Sequence, residues 1–380
     1  MDLIHRRAPD YVLLFAIIAL IGIGVVMVYS ASSIVAQDQV GDSAFFFKRQ
    51  AMWAAAGFIA LLVVQRVHYE KLRRITPALL LIALTALVLV LVPGVGRVVG
   101  GARRWISLGG PFAFQPAEAA KLALVLYLAN FLSNRGPAAA EFRRGVLPPL
   151  IVLGMMFVLI LAQPDMGTAL LLALVTVLLL FMGGARIWHL AGLAFAGAPL
   201  VAIAVFGADY RRQRILAFLN PWGDPQGSGF HIIQSLLALG SGGLLGMGLG
   251  NSRQKFFYLP ERHTDFIFSI LGEELGLIGT LAVVLLLAVV VYRGFQIARR
   301  APDQYGALLA GGITGLIVLQ AVLNIGVTTG LLPITGVPLP FVSFGGSSLL
   351  VMMIGVGIVL NISQYTGSRD RGIAGSSQVT

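Results

Sequence analysis

The chain has 380 residues, 57% of them hydrophobic and only 11% charged, against about 25% charged in a typical soluble domain, which excludes a string of ordinary soluble domains. It contains no cysteine, so disulfide frameworks, thiolate metal sites, Fe–S clusters and cysteine nucleophiles are excluded as well. A formal net charge of +11 would suit nucleic acid, but no basic face stands free of apolar runs, so membrane topology and an anionic substrate explain it better. A spanning helix needs about 20 mostly apolar residues, and ten stretches qualify. The first, near Tyr11–Tyr29, follows Arg6 and Arg7 and precedes Ser30, Ala31 and Ser32, as a signal peptide would. Its apolar run exceeds a signal core of about 7–15 residues and further spans follow, so it reads as a retained helix. Next come Ala51–Val67, Pro77–Val95, Pro116–Leu132 and Val146–Ala162. The second five lie near Met166–Gly184, Trp188–Phe206, Thr264–Tyr292, Tyr305–Val327 and Ser347–Gln364.

Orientation follows from Lys and Arg. An N-terminus in the cytoplasm places Arg6, Arg7, Arg66, Lys71, Arg73, Arg74, Arg135, Arg143, Arg144, Arg186, Arg293, Arg299, Arg300, Arg369 and Arg371 inside. Much of the outside charge falls in one long loop, where the rule loses force. The expected fold is therefore an all-α polytopic membrane protein of about ten transmembrane helices. It forms a single integral membrane domain over 1–380, with both termini cytoplasmic and a large extracytoplasmic loop, about 208–263, between helices seven and eight. The polar, Pro- and Gly-rich segments Gly101–Gln115, Gln163–Gly167, Asp209–His263 and Leu332–Gly346 then all emerge outside. The chemistry is expected to face outward.

Ionisable groups within spans cost about 2.5–3.5 kcal/mol each on insertion scales. Glu118 and Lys121 lie three apart at the start of the fourth span, where they form a self-neutralising packing pair or the charged floor of an outward cavity. Asp165, after Gln163 and Pro164, is either a partner for that floor or the cap of a short helical hairpin. Asp265 opens the eighth span: Thr264 is expected to cap the helix and Asp265 to fall in its first turn. There it either stabilises a helix N-terminus or acts as a general base toward an anionic substrate beside a basic loop. That loop carries Arg211, Arg212, Arg214, Arg253 and Lys255; these form a solvated or lipid-facing basic surface, or recognise phosphate and pyrophosphate. The glycine-rich run Gly240–Gly250 is not followed by Lys-Ser/Thr and lacks a strand–helix context, so it is a weak match to a nucleotide loop. The five histidines show no metal-ligand spacing, and only His263 lies beside a candidate acid.

Across nearly its whole length the chain resembles the SEDS family (FtsW, RodA and SpoVE), most closely its FtsW branch. The resemblance rests on Gly101–Ile106 with Arg103 and Arg104, on Gln115–Lys121, and on Gln163–Thr168. It continues through Leu259–Phe268 and Gly336–Ser348, the last containing Ser343. Each motif is modest alone; their order and their coincidence with outer loops are specific. The resemblance implies a bacterial peptidoglycan glycosyltransferase of the cytoplasmic membrane, acting on lipid II at its outer face beside a class B penicillin-binding protein. It places the family's essential aspartate on Asp265, its intramembrane acid and lysine on Glu118 and Lys121, and its second acid on Asp165. Arg103, Arg104, Arg211, Arg253, Lys255, His263 and Ser343 are expected around substrate or cavity. No residue is expected to be a metal ligand, although Arg and Lys alone, or a divalent cation (Mg or Mn) on the pyrophosphate, both remain open for the leaving group. Two other readings remain beside the polymerase: a lipid II flippase and a non-catalytic scaffold for the transpeptidase. No nucleic acid is expected as partner.

Overall fold

Most of the ten stretches are apolar on every face, the pattern of helices surrounded by protein and lipid rather than water. The computed structural model describes residues 7–99, 101–107, 109, 113–254, 259 and 261–366, and every stretch overlaps a helix. In chain order these are α1 (Tyr11–Val40), α2 (Phe45–Val64), α3 (Glu70–Leu89), α4 (Pro116–Ser133) and α5 (Leu147–Leu161). The second set is α6 (Met166–Met182), α7 (Ile187–Phe206), α10 (Ile267–Arg300), α11 (Gln304–Thr328) and α12 (Gly346–Ser363). Seven of the spans are long and apolar enough to cross a bilayer; α4, α6 and α7 occupy the other three stretches. The charges of Glu118 and Lys121 dilute α4, and α6 is slightly short at 17 residues. The protein is a multi-pass membrane protein.

The centre is α11 and α12, each 78% buried over its apolar window, whereas α2 and α3 are 17% buried and show their apolar sides to lipid. Around that pair, α12 packs on α2, α10 on α11, α1 on α10, and α4 and α6 on α11. The first helix is part of this core: Leu13, Ile17, Leu20 and Met27 are fully buried, and it runs eleven residues past the predicted Tyr29. Ser30 and Ser32 thus lie inside a helix instead of in a cleavage region, and the Ser30 hydroxyl donates to Glu274.

Two segments expected as outer loops carry structure of their own. Three short strands form a small antiparallel sheet ordered β1 (Gly96–Val99), β2 (Ala102–Ser107), β3 (Ala113–Phe114). The 208–263 segment contains α8 (Asp209–Leu219) and α9 (Phe230–Ser241). α9 buries Ile232, Ile233, Ser235 and Ala238 against α10 and α11, so this part belongs to the packed body. Too short to span a bilayer, these elements escape a hydropathy window set to that length.

α10 is interrupted at Gly276, whose φ of 66° lies in the left-handed region open mainly to glycine. The break frees backbone groups inside the bundle, and these need partners. The Gly243–Gly248 segment supplies them. Met247 and Gly248 N–H donate to the Glu273 and Glu274 carbonyls at 2.9 and 3.0 Å, and Leu277 N–H donates to the Gly243 carbonyl at 2.9 Å. A Cβ on Gly276 would stand 2.4 Å from the Gly246 nitrogen. The glycine run is therefore a backbone-to-backbone seam.

Candidate active site

Asp265 does not sit in a helical turn. α10 begins at Ile267 with Phe266 as its cap residue, and the expected cap, Thr264, donates its hydroxyl to the carbonyl and carboxylate of Glu261 instead. The cause is local: Thr264 and Phe266 N–H both bond the Glu261 carbonyl, closing a tight turn at Glu261, whose φ is 49°. Asp265 stands in that turn, half-buried, ahead of the spanning helix. Its backbone carbonyl accepts from Asn324 Nδ2 at 2.8 Å, and the same nitrogen donates to the Val337 carbonyl at 2.8 Å. Gly336, at φ 76°, brings the loop backbone against the carboxylate: a Cβ there would lie 3.6 Å from Asp265 Oδ2.

The loop between α11 and α12 is pinned onto this turn at several points. Ser343 Oγ donates to the Thr264 carbonyl at 2.6 Å and accepts from Leu339 N–H at 2.8 Å. Phe344 N–H donates to the His263 carbonyl at 2.9 Å. The His263 ring is wedged between Phe46 and Phe344, and burial lowers its pKa to about 4, so near neutral pH it is an uncharged packing group. Ser343 and His263 thus shape the turn that holds Asp265.

Below the loop a polar chain runs into the bundle. Lys121 Nζ lies 2.8 Å from Glu118 Oε2 and donates to Gln320 Oε1 at 3.0 Å. Gln320 Nε2 in turn donates to the Pro338 carbonyl at 2.9 Å. Glu118 and Lys121 are 3% and 2% exposed, and the space beside them is about 10 Å³, roughly one water's worth. The pair therefore acts on the site through Gln320 and the loop. Gln320 and Asn324, one turn apart on α11, carry the connection from the ion pair to Asp265. Sequence reading passed over both, although two amides at i,i+4 inside an apolar span are the signal that finds them.

The remaining predicted residues divide. Asp165 caps α6, taking Thr168 N–H at 3.1 Å and the Thr168 hydroxyl at 3.0 Å. Arg104, on β2, donates from Nε to the Gln163 carbonyl at 2.9 Å and also bonds the Pro164 carbonyl, fixing the turn that presents Asp165. Both are close enough to Asp265 to act on its charge. Arg214 of α8 reaches the same place, bonding the Ile334 carbonyl at 3.4 Å. Burial raises the Asp265 carboxyl to about 7; the Glu261 charge adds to the rise, Arg214 opposes it, Asp165 adds to it and Arg104 opposes it.

Arg211 lies against Tyr210, to whose hydroxyl it donates at 2.7 Å, so the arginine that bears on Asp265 from this helix is Arg214, one turn along. Arg103 is exposed on β2. Arg253 is exposed, and its N–H donates to Glu273 at 2.8 Å, almost two turns into α10 and away from the Asp265 turn. Lys255 lies outside the described residues. Among the described residues no three His, Asp or Glu side chains converge as metal ligands.

A two-sided constellation results: one carboxylate with a raised pKa between the α11–α12 loop and the start of α10, with two guanidinium groups, Arg214 and Arg104, and two acids, Glu261 and Asp165, bearing on its charge. It can accept a proton from a neutral nucleophile and balance negative charge on a leaving group.

The chain is similar to known proteins over most of its length. The cell cycle protein family of FtsW, RodA and SpoVE matches residues 11–368. Stage V sporulation protein E of Bacillus subtilis is 48% identical over 361 residues, covering 95% of this chain and 98% of that protein. A probable peptidoglycan glycosyltransferase FtsW of Geobacter metallireducens is 46% identical, covering 93% and 94%. Among solved structures, one chain of a peptidoglycan synthase complex that coordinates polymerization and crosslinking superposes with a TM-score of 0.78 at 34% identity, covering 95% of this chain and 99% of that one. The rod shape determining protein RodA of Thermus thermophilus gives 0.69 at 31%, covering 96% and 98%.

Proposed function

The chain belongs to the FtsW, RodA and SpoVE family, and on that premise we infer that it is a peptidoglycan glycosyltransferase, polymerising lipid II into β-1,4 glycan strands for cell division or shape. The observation that carries the chemistry is the Asp265 turn, a half-buried carboxylate raised to about 7 and held at its backbone by Asn324. A base with that pKa is matched to proton transfer near neutral pH.

In this reading Asp265 takes the proton from the 4-hydroxyl of the acceptor GlcNAc. The freed oxygen attacks the anomeric carbon of the donor MurNAc through an oxocarbenium-like state. The bond from that carbon to the pyrophosphate breaks, and polyprenyl pyrophosphate leaves with inversion, giving the β link, as in inverting glycoside chemistry. Arg214 and Arg104 are cations that bear on the charge of the base and balance the pyrophosphate as it departs. The described residues make no protein-only metal site, so no step is assigned to a divalent ion; a cation would join as a counter-ion on the substrate's own phosphates. Glu118 and Lys121 work at a distance, setting the height of the Val337–Pro338 loop through Gln320.

The site faces outward in this proposal because the basic ends of the helices lie on the opposite side. The partner is a class B penicillin-binding protein, by analogy with the complex described above. A flippase would carry polar groups on toward the inner face, whereas here the polar chain from Lys121 leads to the outer loop. The test is polymerisation of labelled lipid II by purified protein with its class B partner, comparing wild type with Asp265→Asn. Chains from wild type alone support the base. Equal chains from both remove Asp265 from that role, and none from either, with lipid II translocation intact in liposomes, favours the flippase.

A further inference from the structure

The end of the bundle remote from Asp265 carries a second cavity, of about 340 Å³, within the range of about 300–1,000 Å³ usual for ligand sites. It opens where three helix ends meet: the segment leading into α1 (Arg7, Asp10), the last turns of α10 (Arg293, Arg300) and the end of α12 (Ser363). Past its break at Gly276, α10 runs unbroken from Leu277 to Arg300, about 36 Å at helical rise. That exceeds a hydrocarbon core of about 30 Å, so its Arg293–Arg300 end stands at the headgroup level of the membrane face opposite the Asp265 turn.

The walls of the cavity are built, and two of its cations are left over. Asp10 is fully committed: Oδ1 accepts Leu13 N–H at 3.0 Å as the cap of α1, and Oδ2 holds Arg293 Nε at 2.8 Å. The Asp10 N–H donates to Ser363 Oγ at 3.1 Å, and the Arg7 N–H donates to the Gln364 carbonyl at 3.0 Å. This clasp fixes α1, α10 and α12 to one another. The guanidinium groups of Arg7 and Arg300 have no carboxylate partner among the described residues, and both are exposed. Away from the cavity, α1 and α10 continue with exposed apolar rows: Tyr11, Phe15 and Ile18 on one, Tyr292, Val289 and Leu285 on the other. A ligand with an anionic head at the cavity and a hydrocarbon tail along these rows meets both features.

We propose that this cavity binds an anionic phospholipid, its phosphodiester between Arg7 and Arg300 and its acyl chains along α1 and α10. Basic pockets between membrane helices at this level are suited to such headgroups, and Arg matches phosphate oxygens through paired N–H groups. The site is independent of the glycosyltransferase reading: it shares no residue with the Asp265 region and stands or falls by lipid binding alone.

The test uses the full-length protein in detergent, titrated with short-chain phosphatidylglycerol and phosphatidylcholine and read by native mass spectrometry. The variants are Arg7→Ala with Arg300→Ala, and Arg299→Ala as an exposed neighbour that does not line the cavity. Phosphatidylglycerol should be retained over phosphatidylcholine by wild type and by Arg299→Ala, and should bind about 30-fold more weakly to the double variant. It should also raise the melting temperature of the wild type and leave that of the double variant unmoved. Equal phosphatidylglycerol binding by the double variant, or equal loss in Arg299→Ala, overturns the proposal. Displacement of the lipid by inorganic phosphate or glycerophosphate at equal concentration would reassign the site to soluble phosphate esters. Displacement by an acidic peptide, with no preference among lipids, would reassign it to a protein partner.

Discussion

Replacing Asn324 by Leu tests the link between bundle and base most directly. The amide donates from one nitrogen to two carbonyls, of Asp265 and Val337, each at 2.8 Å. Since both neighbours are acceptors, the nitrogen must face them. Leucine is close in volume but leaves both carbonyls without this donor. Net hydrogen bonds contribute about 0.5–1.5 kcal/mol each, and side-chain bonds within membrane bundles average about 0.6 kcal/mol. The pair is therefore worth about 1–3 kcal/mol. Asn324 Oδ1 is a buried acceptor with no partner, so its removal returns part of that, and the stability loss should be about 1–2 kcal/mol. The effect on catalysis should be larger, because the Asp265 turn and the Val337 loop lose their shared tie. A misplacement of about 1 Å costs on the order of 100-fold in rate. The assay is lipid II polymerisation with the class B partner, resolved into kcat and KM, alongside thermal unfolding. The expected result is a folded protein with kcat lowered about 100-fold and KM nearly unchanged. A folded Asn324→Leu protein with wild-type kcat would refute the positioning argument.

Three further outcomes follow from the same geometry. Because the Asp265 carboxyl is raised to about 7, its basic form is lost as pH falls through that value; kcat/KM should drop about tenfold per unit below it. Arg214→Ala removes a cation that holds this pKa down, so the acid limb should move to higher pH, and a profile flat to pH 5.5 in both proteins would exclude Asp265 as the titrating base. Lys121→Ala leaves Glu118 buried without its cation, a loss of about 3–5 kcal/mol visible in thermal unfolding. The double change Glu118→Gln with Lys121→Met should regain most of that stability but little polymerase activity, and full activity in the double variant would deny the pair its role beneath the loop. A reporter fused after Thr380 should be active only in the cytoplasm; activity on the other side would overturn the orientation on which the outward-facing site depends.

Membership of the FtsW, RodA and SpoVE family, the multi-pass helical fold and the activity were legible in the residues themselves. An apolar run long enough to cross a bilayer can do little else, because every backbone polar group within lipid must be satisfied inside the segment. Asp265, Glu118, Lys121 and Asp165 stood out for a related reason: a charge beside or within such a run is costly to keep. Simple helix and hydropathy rules went astray in two places, one through a tight local turn and one through partners from distant chain. Asp265 looked like a first-turn residue, but Glu261 gathers the N–H groups of Thr264 and Phe266 and delays the helix to Ile267. The 208–263 segment looked like loop because α9 finds its apolar partners on α10 and α11, which a hydropathy window does not see.

What the sequence determined by itself was which stretches enter the bilayer and which charges must be there for a reason, since both depend on transfer energies of residues taken a window at a time. What only the tertiary structure decided was which of those charges meet. Gln320 and Asn324 lie some 55–60 residues from Asp265 and about 200 from Lys121, yet α11 packs between α4 and α10 and makes them the path from the buried ion pair to the base. Arg214, and not Arg211, bears on the carboxylate because α8 turns that one side toward Ile334. Pairing across such distances depends on how helices pack, and helix packing is a property of the assembled bundle that no single stretch of the chain contains.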